Sequence, residues 1–208
     1  IKLSKIDFSY NKSDFLFRNL SISINPGQLF CISGSNGDGK TTLSKILMGI
    51  LEPSAGEVLV DGTNLNKLSL KWWKKQVAYI PQNPNILNSS IMDNILLGND
   101  KLNEQEASRL LQTVGLDQKL KKTSLTILDP IEDNLSKGVK KKIHYARALA
   151  QNSKIFIIDD PFGYLDNQGV QIVQKIIESF KRANKTVILF SDNNILSNVI
   201  DENIRIGN

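Results

Sequence analysis

The sequence predicts an α/β fold whose core is a parallel sheet. Short apolar runs typical of buried strands occur in both halves of the chain, among them "QLFCIS", "KIFIID" and "KTVILFS". Helical patterns separate these runs, and the stretch 84–150 between them is mostly helical in pattern. Because alternating strands and helices are typical of parallel sheets, we expect such a sheet with a helical subdomain inserted into it.

The N-terminal part of the chain has the pattern of β-structure. "IKLSKIDFSY" and "LSISI" are rich in β-branched residues, and a Pro-Gly pair marks a turn before the next strand. This predicts an N-terminal antiparallel β subdomain. We therefore expect one domain with a core and an inserted helical subdomain, with these bounds: 1–208 for the domain, 1–83 and 151–208 for the core, and about 84–150 for the helical subdomain.

A glycine-rich loop and an amphipathic helix follow the third predicted strand. Apolar residues from Leu43 to Ile50 recur at i, i+3, i+4 and i+7, which places them on one helical face. Ligands of parallel sheets bind at the carboxyl ends of the strands. The glycine-rich loop after Ser33 and the two acids after Ile158 are therefore expected at the same edge of the sheet.

Composition places the chain among globular proteins. Of its 208 residues, 40% are hydrophobic and 23% are charged, which is enough apolar content for a core. No apolar run approaches the roughly 18 residues that a membrane-spanning helix needs. The single cysteine excludes a disulfide framework and is typical of a reducing cytoplasm.

The net charge of +5 has two explanations. It indicates either a surface that binds nucleic acid or an anionic membrane, or simply a lysine-rich composition. The tightest basic cluster is Lys137 with the lysines at 140–142, and no aromatic residue interleaves it. Because single-stranded nucleic acids are bound by basic grooves with aromatic platforms, we predict no nucleic-acid partner.

The segment "GSNGDGKT", residues 34–41, has the spacing G-x-x-x-x-G-K-[ST] of a phosphate-binding loop between a strand and a helix. Its glycines let backbone N–H groups surround phosphates, and the helix N-terminus adds a partial positive charge. Lys40 is expected to reach the β- and γ-phosphates, and Thr41 to coordinate Mg²⁺. After a neighbouring strand, Asp159 is the expected acidic partner of that magnesium.

These motifs, in this order, resemble the nucleotide-binding domain of ATP-binding cassette (ABC) transporters over essentially the whole chain. The resemblance implies a P-loop NTPase core of the RecA-like type, with ATP and Mg²⁺ as cofactors. It implies that an adenine-stacking aromatic, the Walker A loop, the Q-loop glutamine and the Walker B acid bind the nucleotide: Tyr10, Gly34, Ser35, Asn36, Gly37, Asp38, Gly39, Lys40, Thr41, Thr42, Gln82 and Asp159. The implied magnesium ligands are Thr41, Gln82 and Asp159.

Other parts of the resemblance concern partners. Family cassettes pair head to tail, and two motifs then serve the second cassette in a homo- or heterodimer. Asp166 lies in the implied D-loop, and the family signature stands at "LSKGV": Leu135, Ser136, Lys137, Gly138 and Val139. The family also implies a transmembrane domain, outside this chain, and a location at the cytoplasmic face of the cell membrane.

Two stretches narrow the branch of the family. "WWKKQVAYIPQNPNILNSSIMDNILLG" resembles exporter cassettes, especially those of haemolysin-type and bacteriocin-type secretion systems. "DPFGYLD" also resembles cassettes of the multidrug-resistance-protein and cystic-fibrosis-regulator branch, in which degenerate sites are common. A peptide or protein substrate follows from this branch resemblance alone.

Four departures from the family pattern concern hydrolysis. Asp160 stands where glutamate is usual, and its carboxylate is one methylene shorter. Asp192 stands where a histidine is usual, and an ionised aspartate accepts hydrogen bonds and repels phosphate. Lys137 and Val139 alter the signature, and "LDPIEDN" replaces the acidic-glycine segment before it.

The altered residues are those of hydrolysis, whereas the residues of Mg-ATP binding match the family. We therefore predict slow hydrolysis, with a weakened base, the Q-loop glutamine and the residue in place of the histidine as the catalytic positions: Asp160, Gln82 and Asp192. Three functions remain open: the ATPase domain of an exporter, a regulatory module that binds ATP without meaningful hydrolysis, and a soluble cassette in repair or translation. The exporter-like pattern around Gln82 disfavours the third.

Overall fold

A computed structural model describes residues 1–11, 13–117 and 135–207. These residues form two β-sheets and six α-helices. The strands are β1 (Lys2–Ser9), β2 (Phe15–Ser23), β3 (Leu29–Ser33), β4 (Ala55–Val60), β5 (Thr63–Asn64), β6 (Val77–Ile80), β7 (Ile155–Asp159), β8 (Thr186–Phe190) and β9 (Glu202–Arg205). The helices are α1 (Lys40–Leu47), α2 (Leu70–Gln76), α3 (Ile91–Leu96), α4 (Glu104–Thr113), α5 (Lys137–Gln151) and α6 (Asn167–Arg182).

The larger sheet confirms the predicted parallel core. Its five strands lie in the order β6-β7-β8-β3-β9, and every pair is parallel. All residues of β8 are buried, as are the last four of β7. These strands are near-continuous apolar runs because both faces of the sheet are covered.

The smaller sheet is the predicted antiparallel subdomain. Its four strands lie in the order β2-β1-β4-β5, and Leu3 of β1 pairs with both Ile22 and Val58. Two of its strands, β4 and β5, follow α1 in the chain, so the subdomain is not confined to the N-terminal segment. Helix α1 is also shorter than its apolar pattern: Gly49 at φ 68° follows the helix end, and Ile50 is exposed.

Two hydrophobic cores lie on opposite faces of the parallel sheet. One lies between this sheet, α1 and the antiparallel sheet, and it includes the buried Trp73, whose indole N–H donates to the Leu47 carbonyl at 3.0 Å. The other lies towards α3, α4, α5 and α6, where Phe156 and Phe180 stack with centroids 3.8 Å apart. Burial of a side chain such as Phe156 is worth about 1.5–3 kcal/mol, so both cores stabilise the sheet.

In the described part of the predicted helical segment, residues 84–117 and 135–150, turns and loops separate helices α3, α4 and α5. Helix α3 begins at Ile91, after turns and loops, because Ser90 caps it in a reciprocal pair of hydrogen bonds with Asp93. Helix α5 continues to Gln151, where Asn152 at φ 48° ends it. The segment "LDPIEDN" lies outside the described residues.

Candidate active site

A cleft of about 700 Å³ opens at the carboxyl ends of β3, β7 and β8, the edge at which ligands of parallel sheets bind. Most of the predicted nucleotide-binding and catalytic residues line it. The lining residues are Ser35, Asn36, Gly37, Gly39, Lys40, Thr41, Thr42, Gln82, Asp159, Asp160, Phe190, Ser191, Asp192 and Asn193.

The glycine-rich loop between β3 and α1 forms one wall of the cleft. Gly37 and Gly39 have φ values of 99° and 92°, a backbone conformation that residues with a side chain rarely adopt. A Cβ on Gly39 would also lie 2.5 Å from the ring of Phe17. Left-handed turns of this kind allow backbone N–H groups to surround phosphate oxygens.

Lys40, the first residue of α1, is held by the loop and by a carboxylate across the cleft. Its ammonium donates to the carbonyl oxygens of Gly34 and Ser35, the latter at 3.1 Å. It also pairs with Asp192 at 2.8 Å. The cation predicted to reach phosphates is therefore neutralised by a carboxylate of the same chain.

Asp192 accepts hydrogen bonds from two groups of the predicted phosphate-binding loop. Besides the ammonium of Lys40, its Oδ1 accepts the N–H of Gly34 at 2.7 Å. Partial burial raises the pKa of Asp192, but hydrogen bonds from Lys40 and Gly34 outweigh it and leave this pKa below its usual value. An ionised carboxylate thus lies where phosphate is predicted to bind.

Thr41 and Asp159 provide oxygen ligands of the type that Mg²⁺ prefers. The Thr41 hydroxyl donates to Oδ2 of Asp159 at 2.7 Å, and Gln82 adds an exposed amide to the same cleft. Burial raises the pKa of Asp159, while the hydrogen bond from Thr41 and the charge of Lys141 act in the opposite direction. A hydroxyl, a carboxylate and an amide carbonyl fit one hard cation that keeps water and phosphate as its other ligands.

Tyr10 lies beside the cleft. Its ring is 68% exposed and meets the Phe8 ring edge-on, with centroids 4.9 Å apart. Its hydroxyl and that of Thr42 lie 2.8 Å apart and share a hydrogen bond, which ties the ring to the start of α1. An exposed flat face held next to a phosphate-binding loop can stack on a base.

Asp160 follows the last residue of β7 in a left-handed conformation, with φ at 50°. Its N–H donates to the Phe190 carbonyl at 3.0 Å, which ties it to β8. Its carboxylate lies against Gly163, where a Cβ would be only 2.2 Å from Oδ2. The glycine therefore makes room for this carboxylate at the cleft.

Other predicted site residues lie outside the cleft lining. The Asp38 carboxylate turns back to accept the Ser35 N–H at 2.6 Å, and Gly34 is buried at the start of the loop. Ser136 caps α5 through the Val139 N–H, and the exposed Asp166 caps α6 through the Gly169 N–H. The roles of the signature and of Asp166 towards a second cassette remain predictions.

The structure adds lining residues that motif reasoning missed. Phe190, Ser191 and Asn193 lie at the carboxyl end of β8. Their position at the end of a buried strand could have predicted that they line the cleft. A fully buried lysine, Lys141, lies behind the cleft on α5. Its sequence neighbours, all lysines, gave no indication that it differs from a solvated residue.

The family described as "ABC transporter" matches residues 17–163. The chain belongs to this family. The "Energy-coupling factor transporter ATP-binding protein EcfA1" of Mesomycoplasma hyopneumoniae is 33% identical over all of this ABC chain, which corresponds to 78% of that protein. The match and the cleft thus agree on a nucleotide-binding cassette of a transporter.

Longer relatives contain the ABC cassette as a part. The "ABC transporter B family member 13" of Arabidopsis thaliana is 30% identical over 91% of this chain but only 16% of its own length. A bacterial Atm1-family ABC exporter with ATP bound superposes with a TM-score of 0.90 at 21% identity, over 99% of this chain and 37% of that one. In the part of the chain that the structure describes, none of the helices is long and apolar enough to cross a membrane.

Proposed function

We propose that this ABC cassette holds Mg-ATP in the cleft, pairs with a second cassette when ATP is bound, and thereby powers or gates an exporter, with weak hydrolysis of its own. The observation that carries the proposal is the arrangement at the start of α1. There Lys40, Thr41 and Asp159 bring an ammonium, a hydroxyl and a carboxylate to one glycine-rich loop. This set suits a nucleoside triphosphate together with a divalent cation.

Each group has a distinct part in binding. The loop N–H groups and Lys40 hold phosphate oxygens, and Thr41, Gln82 and Asp159 hold Mg²⁺, which when bound neutralises phosphate charge. Tyr10 offers its exposed face to the adenine. Binding also requires Lys40 to leave Asp192, so part of the binding free energy is used to break that ion pair.

Weak hydrolysis is supported by Asp160 and Asp192. A base must lie within about 2.6–3.2 Å of the water it activates, and a misplacement of about 1 Å can cost ~10²-fold. Asp160 has the shorter side chain and lies against Gly163. Asp192 brings a negative charge where a hydrogen-bond donor would stabilise the transferring phosphate.

Pairing with a second cassette is supported by where the signature lies. Residues 135–139 open helix α5 outside the cleft, and Ser136 and Lys137 are exposed. The N-terminus of α5 carries a partial positive charge and Lys137 a full one, so together they offer an anion site to another molecule. A transmembrane domain and a position at the cytoplasmic face follow for a transporter cassette, in one polypeptide or as separate subunits.

The exporter branch rests on the stretch 72–98 and on the relatives named for the B family. EcfA1 is as similar and bears a different transporter name, so identity alone does not choose a branch. The test is the membrane partner: a pull-down from native membranes should recover a transmembrane exporter domain. Recovery of an importer's transmembrane subunit instead would contradict the branch but not ATP binding.

Calorimetry and phosphate release on the same protein test the central proposal. We expect saturable Mg-ATP binding by the isolated chain, together with a turnover well below the ~1–100 s⁻¹ usual for enzymes. Turnover within that range would contradict weak hydrolysis. Absence of binding would contradict the proposed function as a whole.

The Lys40–Asp192 pair favours a second candidate, a regulatory ATP-binding module without meaningful hydrolysis. In such a module ATP would open the pair and close the cassette dimer, and release of ATP would restore it. The two candidates separate when this chain is mixed with a catalytically intact partner cassette. A rise in phosphate release that depends on Lys40 supports the ATPase, whereas dimer formation without release supports the regulatory module.

A further inference from the structure

We propose that Lys141 is a positioning residue of the ATP site, whose buried ammonium ties the Gln82 loop and the acidic end of β7 to the helix that carries the signature. The proposal rests on the proposed function, because it concerns the magnesium ligands of that site.

Lys141 is buried to an unusual degree for a lysine. It has no exposed surface, and its ammonium donates to two backbone carbonyls, Pro81 at 2.8 Å and Asp159 at 3.0 Å. Lysine is almost never fully buried without partners, because removing its charge from water is strongly unfavourable. A residue retained at such a cost is expected to have a specific role at its position.

The two carbonyls identify that role. Pro81 immediately precedes Gln82, and the Asp159 carbonyl is part of the peptide bond that leads to Asp160. The ammonium therefore links the carboxyl ends of β6 and β7. The residues that follow these two carbonyls, Gln82 and Asp160, line the cleft. Both predicted magnesium ligands from these strands, Gln82 and Asp159, depend on the separation of these two chain segments.

Other side chains of α5 extend the same connection. One turn after Lys141, the Tyr145 hydroxyl donates to the Pro161 carbonyl at 3.0 Å. Lys141 and Tyr145 thus hold the backbone on both sides of Asp160. On the same helix, His144 contacts the Asn85 carbonyl at 2.8 Å, so the loop after Gln82 is held at a second point.

Electrostatics supports the same placement. The carboxylates of Asp159 and Asp160 favour the charged form of Lys141, whereas burial disfavours it and dominates. His144 adds no positive charge near neutrality, because burial lowers its pKa to about 4. The ammonium is therefore attracted by two carboxylates and donates to two backbone carbonyls, which fixes its position more firmly than any single contact would.

The matched control is the next residue on the helix. Lys142 is also buried, with 8% exposure, but its ammonium points to the Gly115 carbonyl at 3.4 Å, away from the cleft. Lys141→Met removes the charge and the donors while keeping the length of the side chain. Lys141→Gln keeps N–H donors without the charge, and Lys142→Met measures the effect of losing a buried lysine elsewhere on α5.

The first readout needs no nucleotide. We expect hydrogen exchange of the 208-residue chain at the hydrogen-bonded amides of Asp160 and Gly163 to accelerate about tenfold in Lys141→Met and to stay unchanged in Lys142→Met. Unchanged exchange in Lys141→Met, or equal acceleration in both variants, would overturn the positioning role. This readout is valid even if the chain fails to bind ATP, so the two proposals fail separately.

The second readout is the ratio of ATP affinities with and without Mg²⁺, measured by calorimetry in magnesium and in EDTA. Loss of a partner that orients metal ligands typically costs 10–100-fold in metal affinity, so we expect this ratio to fall about tenfold in Lys141→Met. Lys141→Gln should recover part of it. If the ratio fell equally in both Lys141 variants, a charge effect would replace the proposal. If both affinities fell and their ratio stayed unchanged, a general structural effect would replace it.

Discussion

The two sides of the cleft are built from different parts of the chain and by different means. The side formed by β3 and α1 presents a glycine-rich loop and one lysine, Lys40. The side formed by the ends of β7 and β8 presents carboxylates, at Asp159, Asp160 and Asp192. The first side has the residues that the family resemblance predicts for nucleotide binding, whereas two of the three acids on the second side stand where the resemblance predicts other residues.

From this difference we expect nucleotide binding and hydrolysis to depend on separable features. The phosphate-binding loop is part of the fold, because Gly39 packs against β2 and a side chain there would clash with Phe17. Asp160 and Asp192 lie at strand ends in the cleft, where a change of side chain leaves the buried strands intact. Catalytic residues can therefore diverge while the fold and the binding loop remain.

The largest expected effect is on the binding side. Lys40→Ala should weaken Mg-ATP binding by about 100-fold, because a charge-assisted hydrogen bond to phosphate is worth roughly 1.5–3 kcal/mol. The substitution also leaves Asp192 unpaired in the cleft. Calorimetry on both proteins measures this change.

Lys45→Ala is the control for that substitution. Lys45 lies on the same helix, in its last turn, and does not line the cleft. We expect its Mg-ATP affinity to equal that of the unmodified chain. If Lys40→Ala bound Mg-ATP as tightly as Lys45→Ala, the glycine-rich loop would not be the phosphate site. The β3–α1 side could then no longer be distinguished as the binding side of the cleft.

The next effect is on the hydrolysis side. Asp160→Glu should raise phosphate release, and Asp160→Glu combined with Asp192→His should raise it further, by about 10–100-fold in total. The added methylene carries the carboxylate towards the attacking water, and the histidine restores a hydrogen-bond donor. Single-turnover release at saturating Mg-ATP measures the chemical step.

Mg-ATP affinity is the control in the Asp160→Glu experiment, and it should change little. If release stayed constant or fell in these variants while binding held, Asp160 would be a working base. The division between an intact and an altered side would then be wrong, even though both sides lie where they were expected.

Much of this arrangement could be predicted from the sequence. Buried runs such as Ile155–Asp159 have a strong strand pattern, and parallel topology brings their ends to one edge. The glycine spacing of 34–41 specifies a phosphate loop without knowledge of the rest. The antiparallel sheet was predicted in kind, but the return of β4 and β5 to it depends on long-range pairing that no local pattern contains.

The side-chain network behind the cleft could not be predicted. Lys141 and Lys142 are adjacent identical residues, and only the packing of α5 against β6 and β7 distinguishes the contact that each one makes. Likewise, Asp192 was expected to repel phosphate, but nothing in the sequence indicated that it would pair with Lys40. Such contacts depend on distances across the fold and not on spacing along the chain.

A smaller effect concerns stability on the α5 side. Burial lowers the pKa of His144 to about 4, against about 6.5 in an unfolded chain. As pH falls, the unfolded chain binds a proton at His144 before the folded chain does. The free energy of unfolding is therefore unaffected by this group above about pH 6.5 and decreases as pH drops towards 4. We expect a loss on the order of 2 kcal/mol from this group between neutral pH and pH 4.5.

His144→Gln isolates this contribution, since His144 is the only histidine and the glutamine amide can still donate towards the Asn85 carbonyl. Urea unfolding of both proteins across this pH range gives the difference. The stability gap between them should change with pH in the stated direction. A constant gap would mean that His144 titrates normally and that α5 does not hold it in a buried, neutral form.

The smallest effect tests whether the two sides oppose each other in the empty cleft. Asp192→Asn removes the charge that competes with phosphate for Lys40 and Gly34, so Mg-ATP affinity should rise. Because the Asp192 side chain is 49% exposed, the pair is worth only about 0.2–1 kcal/mol, which limits the gain to about fivefold. Asp201→Asn breaks the other ion pair of the described residues, with Lys181, and should leave affinity unchanged. Weaker binding in Asp192→Asn would mean that the carboxylate orients Lys40 for phosphate, and the altered side would then assist binding rather than resist it.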